Sequence, residues 1–204
     1  RVDQEKAKAR LLAKALQRMQ VDAYTTTPAE RLHGDSFYAE LQEELPGRAV
    51  NLASAEDQGL LLDVGGARVG VLGALLTGVE PHPTEAETLE LVRQEATRLR
   101  RLGAHMVVGL AVMPRTRLRS IARQVETVDL WVLGTDPTES PVASPAGKSF
   151  IIEAGDRGRN LAEVTLLNST EQGTWQDPFG AVERRRREME RRQRMRALWH
   201  RPSE

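Results

Sequence analysis

The sequence predicts an α/β layered domain, and three observations predict it. Strand-like runs alternate with helical patterns along most of the chain. Two of those runs, "HMVVGLAVM" (105–113) and "DLWVL" (129–133), are apolar enough to be strands buried in a sheet interior. At 204 residues, 40% hydrophobic and 28% charged, the chain can build a real core and is neither disordered nor fibrous.

The elements follow in order. Residues 3–20 read as a helix, with Leu12, Ala15, Leu16 and Met19 as its apolar stripe. "VDAYT" (21–25) is a short strand, and "TTPAERLHG" a polar turn with Pro28 and Gly34. Asp35 can cap a second helix carrying Phe37, Leu41 and Leu45, which Pro46-Gly47 stops. "RAVNLA" (48–53) reads as a buried strand. Residues 60–76 form a hairpin, since Gly65-Gly66 supplies the positive φ values of a tight primed turn.

The clearest helix runs through "HPTEAETLELVRQEATRLRRLG". Thr84 and Glu87 form a capping box, Leu89, Val92, Ala96 and Leu99 make one stripe, and Gly103 ends it. Residues 105–113 are a central strand covered on both faces. A helix over 116–125 turns Leu118, Ile121 and Val125 inward, and 129–133 is the next strand. "DPTESPVASPAG" reads as a Pro/Ser loop. "KSFIIEAG" and "NLAEVTLLN" read as two strands joined through "DRGR", and an Arg-rich helix begins near Asp177.

Formal net charge is zero. Residues 181–204 nevertheless hold nine Arg against four Glu, so a slightly acidic body carries a basic tail. No apolar run approaches the roughly 20 residues of a membrane span. The absence of cysteine removes disulfides, thiolate metal sites and Cys nucleophiles, and fits cytosol or periplasm equally. The chain opens at Arg1 inside a helical pattern, which predicts a piece of a longer protein.

Chemistry-bearing motifs are sparse. A Rossmann-like sheet is the plainest version of the fold, but no G-x-G-x-x-G follows an early strand and no phosphate-binding G-x-x-x-x-G-K-[ST] occurs. No G-x-S-x-G elbow exists, and Ser140, Ser144 and Ser149 have no His near them in sequence. Of four histidines, His105 opens a strand, His82 sits between prolines and His200 lies in the basic tail. Only His33 has acids close by, Glu30 and Asp35, a pattern that polar surface turns share. After the 129–133 strand, Asp136 is either a ligand or base at the sheet's carboxyl edge or simple turn chemistry. Spacing alone favours the turn.

The order of segments resembles the catalytic domain of calcineurin-like metallophosphoesterases, in the 5'-nucleotidase branch. "VDAYTTTPAERLHG" is similar to that family's strand and G-N-H-[ED]-F-D-x-G loop, and "AVNL" to its "sANl" strand. "GGARVGVLGALLTG" resembles "G-x-K-V-G-V-I-G-L", and "LRRLGAHMVVGLAVMP" resembles "L+xxGaDxVIxLSHxG". "VDLWVLGTDP" resembles "iDlvigGHxH", and "SFIIEAGDRGRNLAEVTL" the closing "xxivqAGxxGxxlgxlxl". The likeness runs from about residue 5 to 168.

The resemblance implies a β-sandwich flanked by helices over residues 1–170, lacking its first strand, with a basic helix or linker over 171–204. It implies five metal-ligand positions in this chain, and they hold Pro28, Ala29, Val112, Thr135 and Pro137. Pro, Ala and Val offer no donor atom, and Thr is a poor substitute for imidazole. The family's D-x-H motif would precede Arg1. The expectation is therefore a pseudoenzyme with no catalytic residue, metal or cofactor. It would serve as a binding or scaffold module of a bacterial envelope or periplasmic protein, with Glu30, His33, Asp136 and Arg157 lining the old cleft. The alternative is a residual metal-dependent phosphoesterase or 5'-nucleotidase, using upstream ligands or His33, Glu30 and Asp136 as substitutes. The expected partner is another protein or the rest of a longer chain. Residues 181–201 also offer an anionic membrane contact, whereas Glu interruptions and a single aromatic, Trp199, disfavour nucleic acid.

Overall fold

In the computed structural model, the residues described are 2–45, 47–52, 58–76, 83–134, 140–153, 162–165, 180, 185–186 and 189. Nine strands and four α-helices lie among them: α1 (Val2–Arg18), β1 (Ala23–Tyr24), α2 (Asp35–Glu44), β2 (Arg48–Ala49), β3 (Asn51–Leu52), β4 (Leu60–Val64), β5 (Ala67–Leu75), α3 (Glu85–Arg101), β6 (Met106–Val112), α4 (Arg115–Gln124), β7 (Leu130–Leu133), β8 (Ser140–Ala146) and β9 (Ser149–Glu153). Seven strands form one mixed sheet in the order β3-β5-β6-β7-β9-β8, with β4 also pairing β5; β1 and β2 form a separate parallel pair. The result is a central sheet flanked by helices, as the sequence predicts.

The sheet's middle is parallel because each crossover carries a helix: α3 joins β5 to β6, and α4 joins β6 to β7. The β4–β5 hairpin forms over Gly65 (φ 57°) and Gly66 (φ 85°), both in the left-handed region the turn requires. Register sets the faces. Gly70 lies opposite Val107, Leu72 opposite Gly109 and Ala74 opposite Ala111. These positions, with Trp131 and Ile151 on the neighbouring strands, meet Val92, Ala96 and Leu99 of α3 and Leu118, Ile121 and Ala122 of α4 in one core cluster. Val71, Leu60 and Val50 form a smaller cluster on the opposite face.

The α3 capping box is present. The Thr84 N–H donates to Glu87 Oε2 at 2.8 Å, and the Glu87 N–H to Thr84 Oγ1 at 3.3 Å. Gly103 ends the helix with φ 90°. Thr84→Ala is expected to cost about 1 kcal/mol in a urea melt. The Thr84 backbone N–H, then its hydroxyl, hold the Glu87 carboxyl below the usual carboxylate range. That stabilisation is complete above the unfolded-state pKa and fades as pH falls through the depressed folded value. The variant keeps the backbone N–H and loses only the hydroxyl, so the acid limb of its stability profile should flatten in part.

Several expectations are corrected. On α1, Leu12 and Met19 are 64% and 60% exposed, and Ala13 is the buried residue. The partner face is α2, reached by Arg10, which donates to Glu40 (2.5 Å from Nε) and lies with Lys6 over the Phe37 ring, each 5.0 Å from its centroid. The 28–34 turn contains a 3-10 helix, Pro28–His33. Asp35 does not cap α2; Gly34 occupies the cap, with no side-chain bond. The 48–53 strand divides at Val50: β2 is exposed and pairs β1, while β3 pairs β5. β6 is sealed at Val107, Gly109 and Ala111 but only half-buried at Val108, Leu110 and Val112. The Pro/Ser segment holds β8, an edge strand antiparallel to β9, where the lack of proline N–H groups is tolerated. Residues 162–165, expected in a strand, are not in one. In the C-terminal segment Gly180, Arg185, Arg186 and Met189 are helical; the remainder of the expected basic helix lies outside the described residues.

Candidate functional site

Parallel strands direct their carboxyl ends to one edge, where loops can converge on a ligand. Here β3, β5, β6, β7 and β9 end together, at Leu52, Leu75, Val112, Leu133 and Glu153. Three features of that edge are described.

The first is a polar network where β1 runs out beside β3. Asn51 Oδ1 accepts from Thr25 Oγ1 (2.6 Å) and from the Thr26 N–H (2.9 Å), and Asn51 Nδ2 donates to Thr26 Oγ1 (2.6 Å). The Thr26 hydroxyl also meets the Tyr38 hydroxyl at 3.2 Å, to which Gln42 Nε2 donates at 3.1 Å. Asn51 is thus engaged at both ends of its amide. Burial, first, raises the Tyr24 phenol above its ordinary pKa.

The second feature is Val112. Its carbonyl accepts the Leu76 N–H at 3.0 Å, and its Cα lies opposite Leu75 in the β5–β6 ladder. An isopropyl group therefore stands at the last position of the central strand. The third feature is an ion pair. Arg115, in the first turn of α4, donates to Glu153 Oε2 (2.8 Å) and to Ser144 Oγ (3.2 Å). The Glu153 side chain is fully buried and that of Arg115 is 27% exposed. A guanidinium and a buried carboxylate are thus paired between the ends of β6 and β9.

Of the predicted cleft residues, only His33 has a described side chain. His33 Nε2 lies 3.6 Å from Glu5 Oε2 on α1 and packs edge-on to Phe37, while Asp35 pairs with Arg31 at 3.5 Å. Glu30 lies on the 3-10 helix. Asp136 and Arg157, with Thr135 and Pro137, fall outside the described residues. His105 is a strand-end residue: its Nδ1 accepts the Arg68 N–H at 3.0 Å, and its own N–H bonds Arg68 O at 2.8 Å. Among the described residues no group of three His, Asp or Glu could hold a metal. Sequence reading missed Asn51, Arg115 and Glu153. Their partners lie 25 to 38 positions away, so no local spacing marks them.

This arrangement of sheet, helices and strand ends is a fold shared with solved nucleotidases and a sulfate thiohydrolase. Among solved structures, the chain is similar to the sulfate thiohydrolase SoxB of Thermus thermophilus, with 18% identity and a TM-score of 0.60 over 72% of this chain. It is similar to a 5'-nucleotidase precursor, also from Thermus thermophilus, at 19% identity and TM-score 0.56, again over 72%. It is also similar to the NAD nucleotidase NadN of Haemophilus influenzae at 14% identity and TM-score 0.55, over 70%. The chain spans 30%, 36% and 35% of those three chains. No protein-family model and no curated protein matches the sequence.

The five positions that the sequence resemblance assigns to metal ligands hold Pro28, Ala29, Val112, Thr135 and Pro137, which do not fit a two-metal centre. Such a centre needs donors that hold two ions about 3.5–4 Å apart. Two prolines, an alanine and a valine have no donor atom, and one threonine hydroxyl cannot replace the rest.

Proposed function

We propose that this domain uses a metallophosphoesterase fold as a non-catalytic binding or scaffold module of a longer, envelope-associated protein. The observation that carries the reading is Val112: the central strand ends in an aliphatic side chain where the resemblance expects an imidazole. The Arg115–Glu153 pair supports it, because the neighbouring cation and carboxylate already neutralise each other. The envelope location rests on the resemblance. Residues 171–204 act in this reading as a basic connector or docking helix to a protein partner.

Metal analysis with a hydrolysis assay tests the proposal. After incubation with Mn²⁺, Zn²⁺ or Fe²⁺ and desalting, the protein should retain no stoichiometric ion. It should hydrolyse neither nucleotides nor an aryl phosphodiester above the blank. A tightly held ion together with hydrolysis would establish the residual phosphoesterase instead.

A further inference from the structure

The exposed large apolar side chains are unevenly placed. Val2, Leu11, Leu12 and Met19 are 55%, 68%, 64% and 60% exposed, and all four belong to α1 or its final turn, where the Met19 N–H still bonds Ala15 O at 3.0 Å. At about 100° per residue, Leu11, Leu12, Ala15 and Met19 fall within an arc of roughly 100°. Ala13 and Leu16, on the other side, are buried and half-buried. The helix is therefore held by one face and offers an apolar stripe with the other.

Charge says what that stripe meets. Lys8 lies within the arc, and Arg18 and Lys14 border it. All three are exposed, and none has an ion-pair partner among the described residues. The acids of α1, Asp3 and Glu5, are confined to its first turn, and Glu5 faces His33. Arg10 is already engaged by Glu40. An apolar stripe edged by free cations is complementary to a surface with an apolar interior and an anionic skin. A second copy packed through the same stripe would bring Lys8, Lys14 and Arg18 against their own kind. We propose that α1 docks on an anionic phospholipid surface, with Leu11, Leu12 and Met19 inserted at the acyl boundary and Lys8, Lys14 and Arg18 among the headgroups. The helix is folded before contact, so binding does not have to order it. This goes beyond the scaffold reading and stands without it.

Co-sedimentation of the full chain with vesicles tests it, using phosphatidylcholine alone or mixed with phosphatidylglycerol. The Arg-rich 181–201 segment is a second cationic source, so the informative variant keeps charge constant: Leu11→Gln with Leu12→Gln. Wild type should bind the anionic vesicles and not the neutral ones, and release as salt rises. The variant should bind at least tenfold more weakly while melting like wild type. Lys8→Glu with Lys14→Glu should also lose binding, which keeps the test decisive if the leucine variant misfolds. Absence of wild-type binding at low salt, or equal binding by a folded variant, would overturn the proposal. So would self-association of wild type that the leucine variant abolishes.

Discussion

Gly109→Ala is expected to destabilise the domain by about 3 kcal/mol, at the top of the usual range for overpacking a core. A β-carbon there would lie 2.4 Å from both Cε3 and Cζ3 of the Trp131 ring, closer than carbon atoms can approach. Trp131 is fully buried, facing the α3 and α4 side of the sheet among Leu118, Ile121 and Ile151. The ring cannot swing into solvent, and Gly109 sits in mid-ladder opposite Leu72 and Trp131, so the backbone cannot retreat either. The reciprocal change, Trp131→Ala, should cost about 3–5 kcal/mol by opening a cavity. Since each residue makes room for the other, the two changes should couple. Gly109→Ala combined with Trp131→Ala should cost less than the sum of the two single changes, by about 1 kcal/mol or more. Urea denaturation of the four proteins measures this. A Gly109→Ala variant within about 0.5 kcal/mol of wild type would show that the ring does not rest on that glycine.

Periodicity and capping made much of the fold legible. The α3 stripe, its Thr84–Glu87 box, the diglycine hairpin and the apolar β6 and β7 are all local patterns, and all are present. Where the structure departs from the sequence pattern, the deciding term was not local. On α1 the apolar stripe was recognised, but a helical period does not say which face another element will cover. The buried face is built from Ala13 and from Lys6 and Arg10, whose cationic heads lie over the Phe37 ring, residues that composition classes as surface. β8 was hidden by Pro141 and Pro145, which bar a central strand and not an edge one. Of the three features at the carboxyl edge, the sequence marked only Val112, and did so through resemblance. The Asn51 network and the Arg115–Glu153 pair depend on strand order, which brings residues from distant segments to the same edge.

Asp129→Ala should be as damaging as any change in the molecule, about 3–5 kcal/mol, because it removes one partner of a largely buried ion pair. Asp129 lies just before β7, at the edge opposite the candidate site. Its Oδ2 accepts the Val107 N–H at 2.6 Å and a hydrogen bond from Arg100 Nη2. Arg100 also donates to Ala104 O (3.2 Å), His105 O (2.8 Å) and Thr127 O (3.3 Å). One carboxylate thus ties together the end of α3, the turn into β6 and the approach to β7. Without it, Val107 keeps a fully buried N–H with no acceptor from that side chain, and Arg100 keeps a cation only 29% exposed. Asp129→Asn retains an oxygen for the Val107 N–H and loses the charge, so it should cost about half as much. Arg100→Met removes the cation and keeps an apolar stem, and combined with Asp129→Asn it should be milder than the sum of the two. The backbone bonds Asp129 N–H to Val107 O and Phe150 N–H to Asp129 O, both 2.9 Å, survive every one of these changes. A loss of less than about 1 kcal/mol in Asp129→Ala would therefore mean that the ladder alone holds this edge. The predicted larger loss would place the rigidity of the sheet at its amino end, leaving the carboxyl edge free to change its residues without loss of the fold.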